Sequence, residues 1–362
     1  MTFILDPVHG HINIKGFEKI INHPLMQRLR YIKQDSLLYH AFPSAKHDRF
    51  SHSLGTFHVM SQVVENNNFN EEDSYHLKAA ALLHDIGHGP YSHLWERMIP
   101  EYDHEEISQK IITEIFQLPV VAKIINKEHP LSELLSSVVD VDKLDYLARD
   151  SYFCGVGYGF TDLERITKYL TIKEGKLSIP QKLVNSIEHV ILARLSLYTC
   201  TYFHHAVRAK DMNLTSIIKR VKYLQSTNQE VFIDSTLAQA LQGKVILDDL
   251  VKMTDTMIEY HLHQWKEADD KILQDLVQRF FKRKGFVAKE SDQPLPQTTE
   301  FDPEYYLLED EISKEIYESE IYVYTKEKEH VALSEFSQLV KQIKHLTIKK
   351  RFIIGPQEIL KK

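Results

Sequence analysis

Leu82-Leu83-His84-Asp85-Ile86-Gly87-His88-Gly89-Pro90 sets an imidazole and a carboxylate side by side at the end of a strongly apolar run. The preceding Ala79-Ala80-Ala81-Leu82-Leu83 reads as the buried face of a helix built from good helix formers, and Gly87 reads as its stop. An imidazole and a carboxylate that emerge from a packed core are costly unless they are paired, hydrogen-bonded or ligated. Capping and local hydrogen bonds would satisfy a lone His-Asp pair, so a metal site requires further ligands.

The chain offers two. His52 lies in Arg49-Phe50-Ser51-His52-Ser53-Leu54-Gly55, where Phe50, Leu54 and Phe57 have helical spacing and present a second imidazole from a neighbouring helix. Asp142 has two readings. If a helix begins as early as Leu131, then Leu131, Leu135, Val138 and Asp142 share one face, and an acid in that apolar stripe asks for a partner. If the β-branched cluster breaks the helix, Asp140 becomes an N-cap and Asp142 sits in the first turn. The set His52, His84, Asp85 and Asp142 mixes nitrogen and oxygen donors and suits a divalent ion, whether Mn, Fe, Zn, Co, Ni or Mg, with positions left for water and substrate. Cys154 and Cys200 have no CxxC or CxxH spacing, which argues against a structural zinc site and for a reduced cytoplasmic setting.

The order His, His-Asp, Asp resembles the HD-domain phosphohydrolases. Several blocks are similar to one branch, the deoxynucleoside triphosphate triphosphohydrolases that include the SAM- and HD-domain dNTPase of animals and bacterial dGTPase-like relatives. They are Asp6-Pro7-Val8-His9-Gly10-His11, the run from Gln27 to Gln34, the run from His47 to Gly55, Leu83 to His93, and Asp140 to Asp150. Weaker similarity continues through Arg194 to His204 and into Phe281-Lys282-Arg283-Lys284-Gly285. The expected fold class is mainly α: an HD-domain helical core over 1–212, then a helical extension and a smaller α+β C-terminal lobe over 213–362.

Composition agrees. A chain of 362 residues, 43% hydrophobic and 26% charged, can bury one large core and a smaller subdomain. The N-terminus lacks a positive flank and a long apolar run, and no stretch approaches a membrane span, so a cytoplasmic protein with no membrane partner is expected. A net charge of -7 argues against a broadly basic nucleic-acid surface. Local patterns predict a helix opened by Pro24 that buries Leu25, Leu29 and Ile32, and a hairpin in which Thr171-Ile172 and Leu177-Ser178-Ile179 flank Glu174-Gly175. They also predict a long helix from about Gln181 that buries Val184, Ile187, Ile191 and Leu195, and a loop between Gln293 and Pro303. The lobe would be formed by Ile321-Tyr322-Val323-Tyr324, a helix capped by Ser334, and Phe352-Ile353-Ile354.

On the long helix, Arg194, Tyr198, Tyr202 and His205 recur at i, i+4, i+8 and i+11. Such a stripe is commonly a solvated face with rings lying on the core. The resemblance implies more: Arg194 and Tyr202 match positions that hold phosphates and sugar, His204 matches a further pocket position, and Tyr146 and Asp150 match sugar and phosphate contacts. Arg49, Lys143 and Arg194 would neutralise the triphosphate, with guanidinium groups as clamps and the ammonium as a point charge. The implied activity is hydrolysis of (deoxy)nucleoside triphosphates to nucleoside and inorganic triphosphate, by attack of metal-bound hydroxide on the α-phosphate. His93 corresponds to the general acid, His88 and His104 to supporting histidines, and Glu96 stands where the animal enzyme has an aspartate.

Departures bear on the substrate. Gln34 is kept where the family reads the sugar 3′-hydroxyl, but Asp35-Ser36 replaces a Leu-Gly pair, and a carboxylate there tolerates or bonds a ribose 2′-hydroxyl. At the family's guanine-nucleotide regulatory site Gln27 and Arg30 are present, while Asn22 replaces an aspartate and offers one acceptor and one donor in place of two acceptors. A GTP or dNTP effector and a homodimer or homotetramer are implied by the resemblance. Competing readings are an HD hydrolase of another nucleotide phosphate ester, such as an NTP, NMP or guanosine polyphosphate, and an inactive nucleotide-sensing or nucleic-acid-binding module. Arg28, Arg30, Lys33, Lys282, Arg283 and Lys284 would serve that binding, although they read first as solvated or effector contacts.

Overall fold

Short polar side chains start the helices that carry the site. In the computed structural model, which describes residues 2–296, 300–325 and 330–360, Asp48 accepts from Ser51 N at 2.7 Å and starts the helix Arg49–Glu65. Asn70 accepts from Asp73 N at 2.7 Å and starts Glu71–Leu83, whose first turn carries Glu71, Glu72 and Asp73, favourable at a helix N-terminus. Asp140 accepts from Lys143 N at 2.8 Å and starts Val141–Cys154, which stops at Gly155 in the left-handed conformation, φ +69°. The second reading of Asp142 therefore holds. Leu131 precedes only a short 3-10 turn, Ser132–Leu134, and Asp142 is in the first turn of the next helix.

The helix Arg49–Glu65 packs between Glu71–Leu83 and Val141–Cys154. Leu77 and every residue from Ala79 to Leu83 are fully buried, and the small alanines let neighbouring helices approach closely. The helix ends at Leu83, with His84 as its C-cap, four residues before the expected stop. Gly87 has a different duty: a Cβ there would overlap the His104 carbonyl and the Ser108 backbone nitrogen, so glycine admits the His104–Lys110 helix against the turn.

The C-terminal half is mixed, and the fold class is the expected one: mainly helical with small sheets. A helix Val184–Leu197 follows the 3-10 turn Gln181–Leu183; Val184, Ile187 and Ile191 are buried and Leu195 partly so. A π-turn, Tyr198–Tyr202, then leads to the helix His205–Ser226, which runs unbroken through the boundary expected at 212–213.

Strands β1 (Phe3–Asp6) and β2 (Gly10–Asn13) form an N-terminal hairpin not foreseen from the sequence. β3 (Thr171–Lys173) and β4 (Lys176–Pro180) are the predicted hairpin. β4 also pairs in parallel with β7 (Tyr322–Tyr324), Ser178 opposite Tyr322, and β8 (His330–Ala332) completes a four-stranded sheet across the expected domain boundary. β5 (Phe286–Glu290), β9 (Thr347–Pro356) and β6 (Leu308–Glu315) form an antiparallel sheet with β9 in the centre.

The predicted Ser334 cap is corrected. Ser337 caps the helix Gln338–Ile343, accepting from Val340 N, whereas Ser334 donates to Glu320 at 2.6 Å. Of the loop expected between Gln293 and Pro303, residues 297–299 lie outside the described residues; Asp302 and Pro303 open a short helix, Pro303–Tyr306. No helix among the described residues is long and apolar enough to cross a membrane.

Candidate active site and metal centre

Three helices bring four donors together: the ligand atoms of His52, His84 and Asp85 all lie within 4.8 Å of one another, and Asp142 joins them through the two imidazoles. His52 comes from the first turn of Arg49–Glu65, His84 and Asp85 from the turn after Glu71–Leu83, and Asp142 from the first turn of Val141–Cys154. His52 Nε2 lies 3.3 Å from His84 Nε2, 3.5 Å from Asp85 Oδ2 and 3.0 Å from Asp142 Oδ1. His84 Nε2 lies 3.4 Å from Asp85 Oδ2 and 3.6 Å from Asp142 Oδ1. Separations near 3.0–3.5 Å are what neighbouring ligands show around an ion with bonds of about 2.1 Å.

The electrostatics also favour a cation. Burial alone would depress the His52 pKa, yet hydrogen bonds to Asp142 and Asp145 lift it to about 10. His84 is likewise raised against its burial, by the charge of Asp85 and the hydrogen bond to Asp142. Despite burial, Asp85 is held well below the usual carboxylate range by Arg49 and the adjacent imidazoles, and Asp142 is lowered by its bonds to His52 and His84. A position that draws protons onto two imidazoles while keeping two carboxylates ionised fits a divalent ion.

A further carboxylate, which the sequence reading passed over, fixes the geometry. Asp145 is fully buried and bonds His52 Nδ1 at 2.7 Å, His9 Nε2 at 2.5 Å and the Arg149 guanidinium at 2.9 and 3.0 Å. Arg149 also bonds Asp6 at 2.8 Å, so the β1–β2 hairpin is tied to the site. A Cβ at Gly55 would overlap the Asp145 carboxylate and the Arg149 guanidinium. The signals were present, in the spacing Asp142-x-x-Asp145 and in Asp6 to His9, but a second carboxylate one turn along reads equally well as a solvated face.

The histidine cluster stands beside these donors. His88 Nε2 is 3.3 Å from Asp85 Oδ1, and its ring stacks on His104 with centroids 3.9 Å apart. Glu96 bonds His104 Nδ1 and lies 3.1 Å from His93 Nδ1. Burial and the charge of Arg49 hold His88 well below the usual imidazole range, which keeps it neutral, and Glu96 is lowered, against its burial, by its two histidine bonds.

One cavity of about 680 Å³ joins His84, Asp85, Asp142, His88, His93 and His104 to the expected substrate contacts Gln34, Arg49, Lys143, Tyr146, Asp150, Arg194 and Tyr202; His52 and Glu96 are not part of its lining. The cations are held in place by internal partners. Arg49 bonds Asp85 and Ser92 Oγ, Lys143 bonds Asp140 at 2.8 Å, and Arg194 bonds the Ile316 carbonyl at 2.8 Å and Glu318 at 3.0 Å. Ile316 and Glu318 follow β6, so the C-terminal lobe forms one wall. Asp310 on β6 fastens that wall, bonding Arg97 at 2.5 Å and Arg208 at 2.7 Å.

Some expected residues lie elsewhere. His204 does not line this cavity: its Nδ1 accepts from Ala206 N as a helix cap, and with His205 it faces a second, smaller cavity. The chain breaks here: the π-turn ends at Tyr202, His204 is extended, φ -66° and ψ 126°, and a new helix starts at His205, so the stripe does not continue past Tyr202. Asn22, Gln27 and Arg30 sit near the surface; Arg30 Nε bonds Gln27 Oε1 at 2.8 Å and covers the Phe50 ring. Arg28 is buried against the Met253 and Ile86 carbonyls, and Lys33 is paired with Asp255 and Glu259, so neither offers a free charge to nucleic acid. Lys282, Arg283 and Lys284 form an exposed turn.

A model of the HD domain matches residues 49–150, and a model of an HD-associated region matches residues 161–353. The uncharacterized protein YwfO of Bacillus subtilis is 33% identical over 85% of this chain and 79% of its own length. The human deoxynucleoside triphosphate triphosphohydrolase SAMHD1 is 28% identical over 63% of this chain and 46% of its own. The crystal structure of a phosphohydrolase from Bacteroides thetaiotaomicron superposes with a TM-score of 0.87 at 31% identity, covering 98% of this chain and 99% of that one.

Proposed function

The chain belongs to the HD-domain family of metal-dependent phosphohydrolases, and from that premise we propose that it hydrolyses nucleoside triphosphates at the α-phosphorus, releasing nucleoside and inorganic triphosphate. The observation that carries the proposal is the one cavity lined by His84, Asp85 and Asp142, which His52 touches, together with Arg49, Lys143 and Arg194 and with Gln34, Asp150 and Tyr202. Cations suited to phosphates and hydrogen-bonding groups suited to a sugar, in one cavity beside a metal set, answer the parts of a nucleotide.

His52, His84, Asp85 and Asp142 would hold the ion, which when bound supplies Lewis-acid polarisation of a phosphoryl oxygen and a water of lowered pKa. Arg49, Lys143 and Arg194 bind and orient the phosphate chain, and their internal partners reduce the reorganisation that binding demands. In the reaction a water oxygen bonds to the α-phosphorus as the bond to the nucleoside 5′-oxygen breaks. The leaving oxygen needs a proton. His93 is the donor in this account: Glu96 engages its Nδ1 and leaves Nε2 for the substrate, while His104 and neutral His88 hold Glu96 and the surrounding rings in place.

A chromatographic and phosphate-specific analysis of products from a panel of nucleotides with Mn²⁺ tests the reading. Nucleoside with inorganic triphosphate supports it. Pyrophosphate or orthophosphate as the first product assigns the chain to cleavage at another phosphorus, and absence of turnover with every metal and nucleotide overturns the proposal.

A further inference from the structure

The sugar end of the cavity is rich in acceptors that the protein does not satisfy. Gln34 Oε1 is buried and has no hydrogen-bond partner among the described residues, and a buried acceptor without a donor is costly. The next residue, Asp35, also lines the cavity, with its carboxylate 3.2 Å from His47 Nε2. That same nitrogen lies 2.8 Å from Asp150 Oδ1, and Tyr202 donates its hydroxyl to Asp150 Oδ2. The His47 ring is stacked on Phe153, with centroids 4.8 Å apart, and its hydrogen bond goes to Asp150, which leaves Asp35 Oδ2 buried without a hydrogen-bond partner among the described residues. One imidazole N–H and one phenol O–H therefore face four carboxylate oxygens and the Gln34 carbonyl oxygen.

The placement matches a nucleotide. Asp150 and Asp142 lie eight residues apart on one helix, an axial rise of about 12 Å. That distance, less the reach of the side chains, spans the gap between a reacting α-phosphate and the far edge of the sugar.

Resting on the triphosphohydrolase reading above, we infer that Gln34 and Asp35 bind the vicinal 2′,3′-diol of a ribose, so that the enzyme takes ribonucleoside triphosphates at least as well as their 2′-deoxy counterparts. A ribose diol presents two adjacent O–H donors to this strip of acceptors. A 2′-deoxy sugar presents one and sets a methylene against the Asp35 carboxylate. Sites built to bond a hydroxyl discriminate strongly against the analogue that lacks it, because a polar group is then left without a partner. Asp35 is the specificity-determining residue in this account.

Substrates with one base and three sugars, ribose, 2′-deoxyribose and 2′-O-methylribose, are compared on the wild-type protein with Mn²⁺, which needs no variant to fold. Binding is measured separately by calorimetry, with phosphonate analogues carrying CH₂ in place of the 5′-oxygen. The ribonucleotide is expected to match or exceed the deoxynucleotide in kcat/KM, and the 2′-O-methyl form to lose at least tenfold. Asp35→Leu is expected to lower the ribo-to-deoxy ratio at least tenfold in both turnover and binding. A wild-type preference for the deoxynucleotide, or a ratio unmoved in Asp35→Leu, overturns the inference and leaves the triphosphohydrolase reading intact. Failure of every triphosphate to bind or react overturns both.

Discussion

Asp145 Oδ2 accepts the Nδ1 hydrogen of His52 at 2.7 Å, on the side of the ring opposite the nitrogen that faces His84, Asp85 and Asp142. This bond fixes both the tautomer and the orientation of the ligand, as carboxylates behind metal-bound histidines do elsewhere. Asp145→Asn keeps the size and an acceptor but removes the charge. We expect manganese affinity to fall roughly 10–100-fold, measured by calorimetry, with the helical circular dichroism retained. Unchanged affinity would show that Asp145 serves only the Arg149 network.

Gly55 makes room for that carboxylate. Alanine at this position sets a methyl group where Asp145 and Arg149 meet, and the buried helix pair has little slack to absorb it. Gly55→Ala should cost about 2–3 kcal/mol in urea unfolding and weaken metal binding at the same time. A stable protein with normal affinity would mean that the helix Arg49–Glu65 shifts freely against Val141–Cys154.

His47 should make stability fall with pH on the alkaline side of neutrality. Burial opposes its charge, but bonds to Asp150 and Asp35 raise its pKa from 6.5 to about 9. Asp150 does not fall in return. Burial and the neighbouring Asp35 charge outweigh the His47 bond and lift it to about 6, so a single imidazolium stabilises two carboxylates. The His47 contribution is therefore complete below pH 6.5 and is lost as pH rises through about 9. Comparing wild type with His47→Gln by denaturant titration, we expect the stability difference to shrink by on the order of 2–3 kcal/mol across that window. A difference independent of pH would rule out the charged pair.

Asp310 anchors the C-terminal wall of the cavity through two arginines. In Asp310→Ala both lose a buried partner, although Arg208 keeps Asp211 at 2.9 Å and Arg97 is one-third exposed. These retained contacts reduce the usual penalty for breaking a buried pair to about 2–3 kcal/mol. Because Arg194 is held by Ile316 and Glu318 just beyond β6, KM for a triphosphate should also rise several-fold. A normal KM would separate the lobe from substrate binding.

The readable part of this chain was local. His84-Asp85 after an alanine-rich run, Asp140 as a cap and Glu174-Gly175 as a hairpin turn all follow from spacing and turn chemistry, and the structure has each of them. What escaped depends on pairs distant in sequence. His9 reaches Asp145 across 136 residues, and β4 pairs with β7 across more than 140, contacts with no periodic signature in either segment. The π-turn at Tyr198–Tyr202 and the break after it escaped for another reason: neither changes composition or carries a glycine or proline signal, yet the extended His204 ends one helix and starts the next, which left His204 and His205 facing the second cavity.

Equilibrium dialysis against Mn²⁺, with the bound metal counted by mass spectrometry, tests the four-ligand centre most directly when wild type is set beside the His84→Ala, Asp85→Ala double variant. The account predicts one ion per wild-type chain at the centre and its loss in the variant, together with loss of phosphohydrolase turnover. A variant that retains the same stoichiometry and affinity would contradict it.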